Sequence, residues 1–409
     1  MKRIVGCILL LAGCNVYQFE PVTPCAFSST TKTLTVAAKP GKPELFLLVD
    51  KSGSMTFTTS TDPMCASCIS SPCSGSCPTR WDGLTQAMHT FLPATSADVH
   101  LGMVPFPIAD PSQTALQCNG AQVSDIANFG VPLDNSADTD LAGMQATANA
   151  VQARIDAITP YGGTPTGASV TSLLSYAPLT QVAGHPKFML LLTDGVPNCD
   201  AALDPNSCTC TQGGAPCDVT VGGQVMNLCL DDMGTANAIG QLKAAGVTTI
   251  VVGFGNETLG GLGPATLQQM GVAGGFNRPC AVDADCGAGD TCSVNTVNAC
   301  GKPTTACARS YYQATDAAGL ASTLGTIASS IQCVDPCFNK LDAPPSDPKY
   351  LAVEFNGNDL PGPSADTWTY DAASGAVTFT GSTCAKLKAT DTQIPVEFRS
   401  VQAIGAGCQ

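Results

Sequence analysis

The chain has 409 residues, of which 44% are hydrophobic and only 12% are charged. This composition can bury a substantial core and excludes an intrinsically disordered chain. The formal net charge of −14 predicts a surface that repels nucleic acid and anionic lipid headgroups but is compatible with cation binding.

The first residues have the pattern of an export signal. Two basic residues precede a short apolar stretch, Ile4–Leu11, which is too short to span a bilayer. The segment Leu11-Ala12-Gly13-Cys14 resembles a bacterial lipobox, and this resemblance implies cleavage before Cys14 and diacylation of that cysteine. We therefore expect a signal peptide over residues 1–13 and a lipid-anchored protein of the bacterial cell envelope. Asn15, in place of Asp, favours the outer membrane by resemblance to enteric lipoproteins. The alternative is an ordinary signal peptide with a chance cysteine.

Cysteine is abundant, with 22 residues in the chain. Setting aside Cys7 in the signal and Cys14 at the lipidation site leaves an even number. An even and high count in an exported chain predicts disulfides formed in an oxidising compartment.

Strands and helices alternate along most of the chain. Residues 14–43 are expected to form a tether and lead-in, because they end in a run of Pro, Gly and Lys. Strands are predicted at 44–49, 99–106, 186–195, 247–255 and 310–314, with a hairpin strand near 127–133. Helices are predicted at 81–92, 140–158, 167–176, near 231–245, near 264–271 and at 316–331. The strands are continuous apolar runs, which predicts an α/β fold: a doubly wound, mostly parallel sheet with helices on both faces.

The pattern changes in residues 332–409. The segments LAVEF, WTY, AVTF and IPVEF alternate apolar and polar residues and are separated by glycine-containing turns. This alternation predicts a small all-β module.

Polar side chains follow two of the predicted parallel strands. Asp50, Ser52 and Ser54 follow the first, Asp194 follows the strand LLLT, and Thr164 lies in a glycine-led loop. The carboxyl ends of parallel strands are where ligands bind in such sheets. Carboxylate and hydroxyl oxygens, with no thiolate or imidazole, suit a hard cation: Mg²⁺, or alternatively Mn²⁺ or Ca²⁺.

Three motifs carry a family resemblance. Asp50-Lys51-Ser52-Gly53-Ser54, Gly162-Gly163-Thr164 and Thr193-Asp194-Gly195, in this order, resemble the metal-ion-dependent adhesion site of the von Willebrand factor type A (VWA) domain. The resemblance covers residues 44–331, interrupted by insertions at 56–80, 196–230 and 279–308.

The resemblance implies a role for each of the five residues. Ser52 and Ser54 would bind the metal through their hydroxyls, and Thr164 would do so in the ligand-bound form. Asp50 and Asp194 would act through bound waters, and a protein partner would supply a carboxylate to the ion. Thr166 is the alternative to Thr164.

The cysteines fall into four groups, and we predict that disulfides form only within a group. The groups are Cys65, Cys68, Cys73 and Cys77; Cys118, Cys199, Cys208, Cys210, Cys217 and Cys229; Cys25, Cys280, Cys286, Cys292, Cys300 and Cys307; and Cys333, Cys337, Cys384 and Cys408. Zinc is the alternative for the first group, and Cys25 could instead pair with Cys333 or Cys337. The insertions at 56–80 and 196–230 follow strand ends, so we expect both to border the metal site and to set partner choice.

The resulting prediction is a binding protein rather than an enzyme, acting in adhesion or envelope assembly. The three histidines, His89, His100 and His185, are predicted to be structural or solvated, and the sequence contains no nucleophile elbow. The alternatives are a metal-assisted hydrolase using the same cation and a structural surface protein that does not bind metal. The sequence indicates no oligomeric state.

Overall fold

The computed structural model describes residues 26–36, 42–60, 62–68, 72, 77–109, 112, 117–181, 185–221, 223–297, 303–332, 337–341, 344–345, 347–372, 375–389 and 394–404. The predicted signal peptide, residues 1–13, and the predicted lipidation site Cys14 lie outside these residues, as do Cys25, Cys73, Cys300, Cys333 and Cys408. The chain divides into two compact units. The larger lies between Lys39 and Asp335, and the smaller combines chain on both sides of it.

The elements alternate along the larger unit. Strand β1 (Ala26–Val36) precedes it and belongs to the smaller unit. The strands of the larger unit are β2 (Glu44–Asp50), β3 (His100–Phe106), β4 (Lys187–Thr193), β5 (Asp218–Val221), β6 (Gln224–Asn227), β7 (Val247–Phe254), β8 (Pro279–Cys280), β9 (Cys292–Val297), β10 (Pro303–Cys307) and β11 (Tyr312–Ala314). Its helices are α1 (Arg80–Thr95), α2 (Val123–Phe129), α3 (Leu141–Asp156), α4 (Thr166–Leu173), α5 (Ala177–Thr180), α6 (Asp232–Ala244), α7 (Gly263–Gly274) and α8 (Ala317–Ile331).

A five-stranded parallel sheet forms the centre of the larger unit, in the order β11-β7-β4-β2-β3. Alternate residues of β2 enter different hydrophobic clusters, because successive side chains of a strand point to opposite faces. Leu45 and Leu47 pack in a cluster with residues of α1, α3 and α8. Phe46 and Leu48 pack in another with residues of α4, α6 and α7. Both faces of the sheet are therefore covered, and the predicted α/β fold is confirmed.

The smaller unit is mainly antiparallel. Its remaining elements are β12 (Phe338–Lys340), β13 (Leu351–Phe355), β14 (Asn358–Asp359), β15 (Trp368–Asp371), β16 (Ala376–Phe379), α9 (Gly381–Ala389) and β17 (Ile394–Ile404). One sheet has the order β1-β17-β13-β14 and another the order β12-β16-β15. Trp368, Val377 and Phe398 lie in one buried cluster of this unit. The predicted β module is confirmed, with helix α9 in addition.

Two segments differ from their predicted structure. Residues 26–36, assigned to a tether, form β1, which pairs along its length with β17. The hairpin strand predicted near 127–133 is wrong, since helix α2 occupies Val123–Phe129 and only an isolated bridge joins Val131 to Met103. Helix α2 begins with the Gln122 amide donating to the Asp125 carboxylate over 2.7 Å, a local contact that favours a helix over an extended chain.

The observed disulfides agree with the predicted groups. They are Cys65–Cys77, Cys118–Cys199, Cys208–Cys229, Cys210–Cys217, Cys280–Cys292, Cys286–Cys307 and Cys337–Cys384. Since Cys65 and Cys77 are bonded to each other, a zinc site of the first four cysteines is excluded.

Among the described helices, none has the length and hydropathy needed to cross a membrane.

Candidate metal centre

The two predicted carboxylates lie at the same edge of the central sheet. Asp50 is the last residue of β2, and Asp194 directly follows β4, the neighbouring parallel strand. Both residues are fully buried. The Thr193 hydroxyl donates a hydrogen bond of 2.7 Å to Asp50 Oδ2, which ties the two strand ends together.

A chain of hydrogen bonds joins four of the five predicted residues. The Ser52 amide donates to Asp50 Oδ1 over 2.8 Å. The hydroxyl oxygens of Ser52 and Ser54 lie 3.0 Å apart, and the Ser54 hydroxyl donates to Asp194 Oδ1 over 2.9 Å. The short helical turn Gly53–Thr56 holds both serines beyond the end of β2.

Thr164 belongs to a different loop, which packs against the turn that carries Ser52 and Ser54. The Tyr161 amide donates to the Lys51 carbonyl over 2.7 Å, and the Gly53 amide donates to the Gly162 carbonyl over 2.8 Å. Gly162 has a φ of 96°, a conformation that glycine adopts at little cost. The Thr164 amide donates to Asn198 Oδ1 over 2.8 Å. These contacts dock the Thr164 loop against the turn that carries Ser52 and Ser54.

Thr164 and Ser54 line one cleft, whereas Thr166 does not line it. The cleft has a volume of about 550 Å³. Its described lining residues are Ser54, Phe57, Thr164, Gly195, Val196, Asn198, Thr211, Gln212, Gly260, Gly261, Leu262 and Gly263, all of which are uncharged. Thr166 lies at the start of α4, with its hydroxyl 3.5 Å from the Thr164 carbonyl oxygen.

The cleft walls correspond only in part to the predicted cysteine-rich insertions. Val196, Asn198, Thr211 and Gln212 come from the insertion at 196–230, as expected. From the insertion at 56–80, the described lining is Phe57. A second disulfide-rich wall was predicted, but residues 260–262, in the loop between β7 and α7, and Gly263 at the start of α7 line this part of the cleft.

Arg80 contacts this site and was not predicted from the sequence. Its Nη1 lies 2.6 Å from Asp194 Oδ2, and both side chains are fully buried. The guanidinium also lies over the Phe57 ring, 5.4 Å from the ring centroid. Arg80 is the first residue of helix α1 and lies far from Asp194 in the sequence. No local sequence pattern therefore indicated this ion pair. Its charge offsets that of one of the two carboxylates.

The electrostatics of the site favour a cation. Burial and the charge of Asp194 raise the pKa of Asp50 to about 7, although hydrogen bonds from Thr193 and Ser52 oppose the shift. Two carboxylates so close together in a buried site repel each other. A divalent cation would relieve this repulsion.

The donor set fits a hard divalent cation. Ser52, Ser54 and Thr164 offer hydroxyl oxygens, and Asp50 and Asp194 offer carboxylate oxygens. Such oxygen-only ligand sets suit Mg²⁺, Mn²⁺ or Ca²⁺.

The histidines lie away from this centre. His89 lies on α1, with its ring 3.1 Å from the Asp156 carboxylate. His100 is the first residue of β3, and His185 precedes β4. Both therefore lie at the amino ends of parallel strands, opposite the end that carries Asp50 and Asp194.

No protein-family model and no curated protein matches the chain. It is similar to the pilus adhesin SpaC from Lactobacillus rhamnosus GG, at 13% identity and a TM-score of 0.39, over 90% of this chain and 40% of the adhesin. It is similar to the vWF domain of the type V pili tip protein Mfa5 from Porphyromonas gingivalis, at 12% identity and a TM-score of 0.36, over 71% of this chain and 95% of that domain. It is also similar to proximal thread matrix protein 1 from the mussel byssus with a zinc-occupied MIDAS motif, at 13% identity and a TM-score of 0.35, over 73% and 51% of the two chains. Similarity at this level defines no function for the chain.

Proposed function

We propose that the chain is a binding protein of the VWA type that holds a divalent cation at the carboxyl end of its parallel sheet and captures an acidic residue of a protein partner. The cation is Mg²⁺, or alternatively Mn²⁺ or Ca²⁺, held by Ser52, Ser54 and Thr164, with Asp50 and Asp194 acting through bound water. The observation that carries this proposal is the hydrogen-bonded series from Asp50 through both serines to Asp194.

Arg80 supports the attraction of an acidic partner. One oxygen of Asp194 already accepts a hydrogen bond from this buried guanidinium, and the three hydroxyl ligands are neutral. An ion bound here therefore keeps net positive character. The described lining of the cleft is uncharged, so nothing in it repels an approaching carboxylate.

The cellular location remains a proposal from the sequence. We propose that Cys14 carries a lipid anchor and that the chain acts at the bacterial envelope, at its outer membrane, in adhesion or envelope assembly. Labelling cells with radioactive palmitate tests the anchor: the wild type is expected to be labelled and Cys14→Ser to lose the label. Equal labelling of both would contradict it.

Crosslinking on intact cells, followed by mass spectrometry, tests the partner. Wild type is compared with Ser54→Ala, which removes one ligand oxygen, and with Thr56→Ala, whose hydroxyl in the same turn bonds to the Gly53 carbonyl over 2.7 Å. We expect a partner to be recovered with wild type and Thr56→Ala but lost with Ser54→Ala or EDTA. Equal recovery from all samples would contradict metal-dependent capture.

An assay for substrate turnover tests the alternative function. Turnover that is abolished by Ser52→Ala would indicate a hydrolase instead.

A further inference from the structure

A second cluster of ligand-type side chains lies at the opposite end of the central sheet. It consists of His100 at the start of β3, His185 just before β4, and Asp138 in the turn before α3. One possible ligand atom from each of the three lies within 4.8 Å of the others. The two imidazole rings meet edge to face, with their centroids 5.3 Å apart.

His100 lies between two carboxylates. Its Nδ1 is 2.6 Å from Asp134 Oδ2 and its Nε2 is 2.7 Å from Asp138 Oδ1. The 2.7 Å contact between Nε2 and Asp138 is a hydrogen bond that contains a proton. A metal ion bound by both groups would replace that proton, and the two ligand atoms would move apart.

The surrounding contacts position both histidines. Asp134 Oδ1 accepts a hydrogen bond of 2.7 Å from the Ser136 hydroxyl, which fixes the carboxylate beside His100. His185 Nδ1 lies 2.9 Å from the Lys42 carbonyl oxygen and 3.8 Å from Asp138 Oδ1. His100 Nδ1 faces the Asp134 carboxylate, and ligating histidines usually donate their other ring N–H to a carboxylate or a carbonyl in this way.

Space and charge also suit a cation. A cavity of about 170 Å³ is lined by both histidines together with Asp134 and Glu44. Glu44 pairs with Lys187 over 2.9 Å, and the Lys42 ammonium donates to the carbonyl oxygen of Asp138. Three carboxylates thus face two ammonium groups, which leaves a net negative charge when the histidines are neutral.

We propose that His100, Asp138 and His185 bind a zinc ion, with a solvent molecule from the adjoining cavity in the fourth position and Asp134 as the positioning residue for His100. Two nitrogen ligands and one carboxylate with an open position is a ligand set that Zn²⁺ takes readily. The bound ion would link the start of β3, the turn before α3 and the segment before β4. This site is separate from the serine-rich centre in both ligand chemistry and location.

Zinc binding to the detergent-solubilised full chain tests the proposal. The protein is stripped with EDTA, supplied with excess Mg²⁺ and dialysed against Zn²⁺, and bound zinc is measured by mass spectrometry. The variant is His185→Asn, since that side chain is 28% exposed and the change should preserve folding. The control is His89→Asn, whose side chain is 54% exposed. We expect one zinc ion per chain in wild type and in the control. In His185→Asn we expect zinc affinity to fall by about 100-fold.

Further arms separate this site from other sources of binding. Asp134→Asn should weaken zinc affinity by about 10–100-fold, as other changes to outer-shell partners do. Ser54→Ala should leave zinc binding unchanged, because that residue belongs to the other end of the sheet. Substitution with Co²⁺ should give the visible absorption of a tetrahedral site in wild type but not in His185→Asn. Equal zinc binding by wild type and His185→Asn, or no zinc binding by wild type, would show that this cluster holds no zinc ion and would overturn the proposal.

Discussion

Arg80 and Asp194 form a buried ion pair at the edge of the proposed metal centre. Replacing Arg80 by Ala removes the guanidinium partner of a buried carboxylate, a change that costs about 3–5 kcal/mol of unfolding free energy. Added Mg²⁺ should recover more stability in this variant than in wild type, because the ion then supplies the missing counter-charge. Urea denaturation with and without Mg²⁺ measures both effects.

Arg154→Ala is the matched control for that experiment. Arg154 lies in the last turn of α3 and is only partly buried, so its removal should change stability by about 0.5 kcal/mol or less. Equal losses for Arg80→Ala and Arg154→Ala would contradict the assigned role of the pair.

Asp231 predicts a specific pH dependence of stability. Burial and the nearby charge of Asp200 raise its pKa to about 6, despite a hydrogen bond from Thr235. An unfolded Asp has a pKa of about 4, so the folded state binds the proton more tightly. The stability from this residue is therefore present below about pH 4 and is lost as the pH rises to about 6.

Asp231→Asn tests this dependence by removing the titrating group while keeping a residue that caps helices well. The unfolding free energy of wild type should fall relative to that of the variant between about pH 4 and pH 6. Parallel curves for wild type and Asp231→Asn would exclude the assigned effect.

Single residues also mark the limit of what the sequence could predict. Asp50, Ser52, Ser54 and Asp194 follow buried apolar runs, and such runs are visible in a linear pattern. Arg80 forms its contact across 114 positions of sequence. Likewise, the partners of His100 lie 34 and 38 residues away, so the histidine was predicted to be structural or solvated without its two carboxylates being recognised.

At the scale of elements, the disulfide Cys118–Cys199 connects the loop after β3 to the segment after β4. Asn198, beside Cys199, accepts the hydrogen bond from the Thr164 amide. Replacing both cysteines by Ser opens a loop with a sequence separation of 81 residues, which should cost about 4 kcal/mol of stability. The variant should also bind Mg²⁺ more weakly, because the support of the Thr164 loop is loosened.

The pair Cys337–Cys384 provides the control, with a sequence separation of 47 residues in the smaller unit. Replacing both by Ser should destabilise that unit and leave the Mg²⁺ affinity unchanged. Chemical denaturation and calorimetric titration of both variants distinguish the two effects. Equal Mg²⁺ affinities in both variants would contradict a supporting role for Cys118–Cys199.

The central strands could be predicted because they are buried on both faces and read as uninterrupted apolar runs. The strand Ala26–Val36 could not be predicted in this way. Its partner β17 begins at Ile394, and a pairing between such distant segments produces no local sequence pattern. Helix α2 was mistaken for a strand because it is short. In a short apolar segment, the spacing of the apolar residues does not distinguish a helix from a strand.

At the scale of the whole molecule, net charge and site chemistry agree. The chain carries a formal charge of −14, which raises the local concentration of cations near its surface. The two proposed metal sites lie at opposite ends of one parallel sheet, and their donors differ: oxygen only at the carboxyl end, nitrogen with oxygen at the amino end. Each end should therefore select a different class of ion.

Calorimetric titration of Mg²⁺ into the detergent-solubilised full chain measures binding at the proposed cation site itself. Wild type is compared with the double variant Ser52→Ala/Ser54→Ala and with Thr56→Ala, which alters the same turn without removing a proposed ligand. We expect one Mg²⁺ per chain in wild type and Thr56→Ala, and no measurable binding in the double variant. Unchanged Mg²⁺ binding in the double variant would contradict a cation site at Ser52 and Ser54.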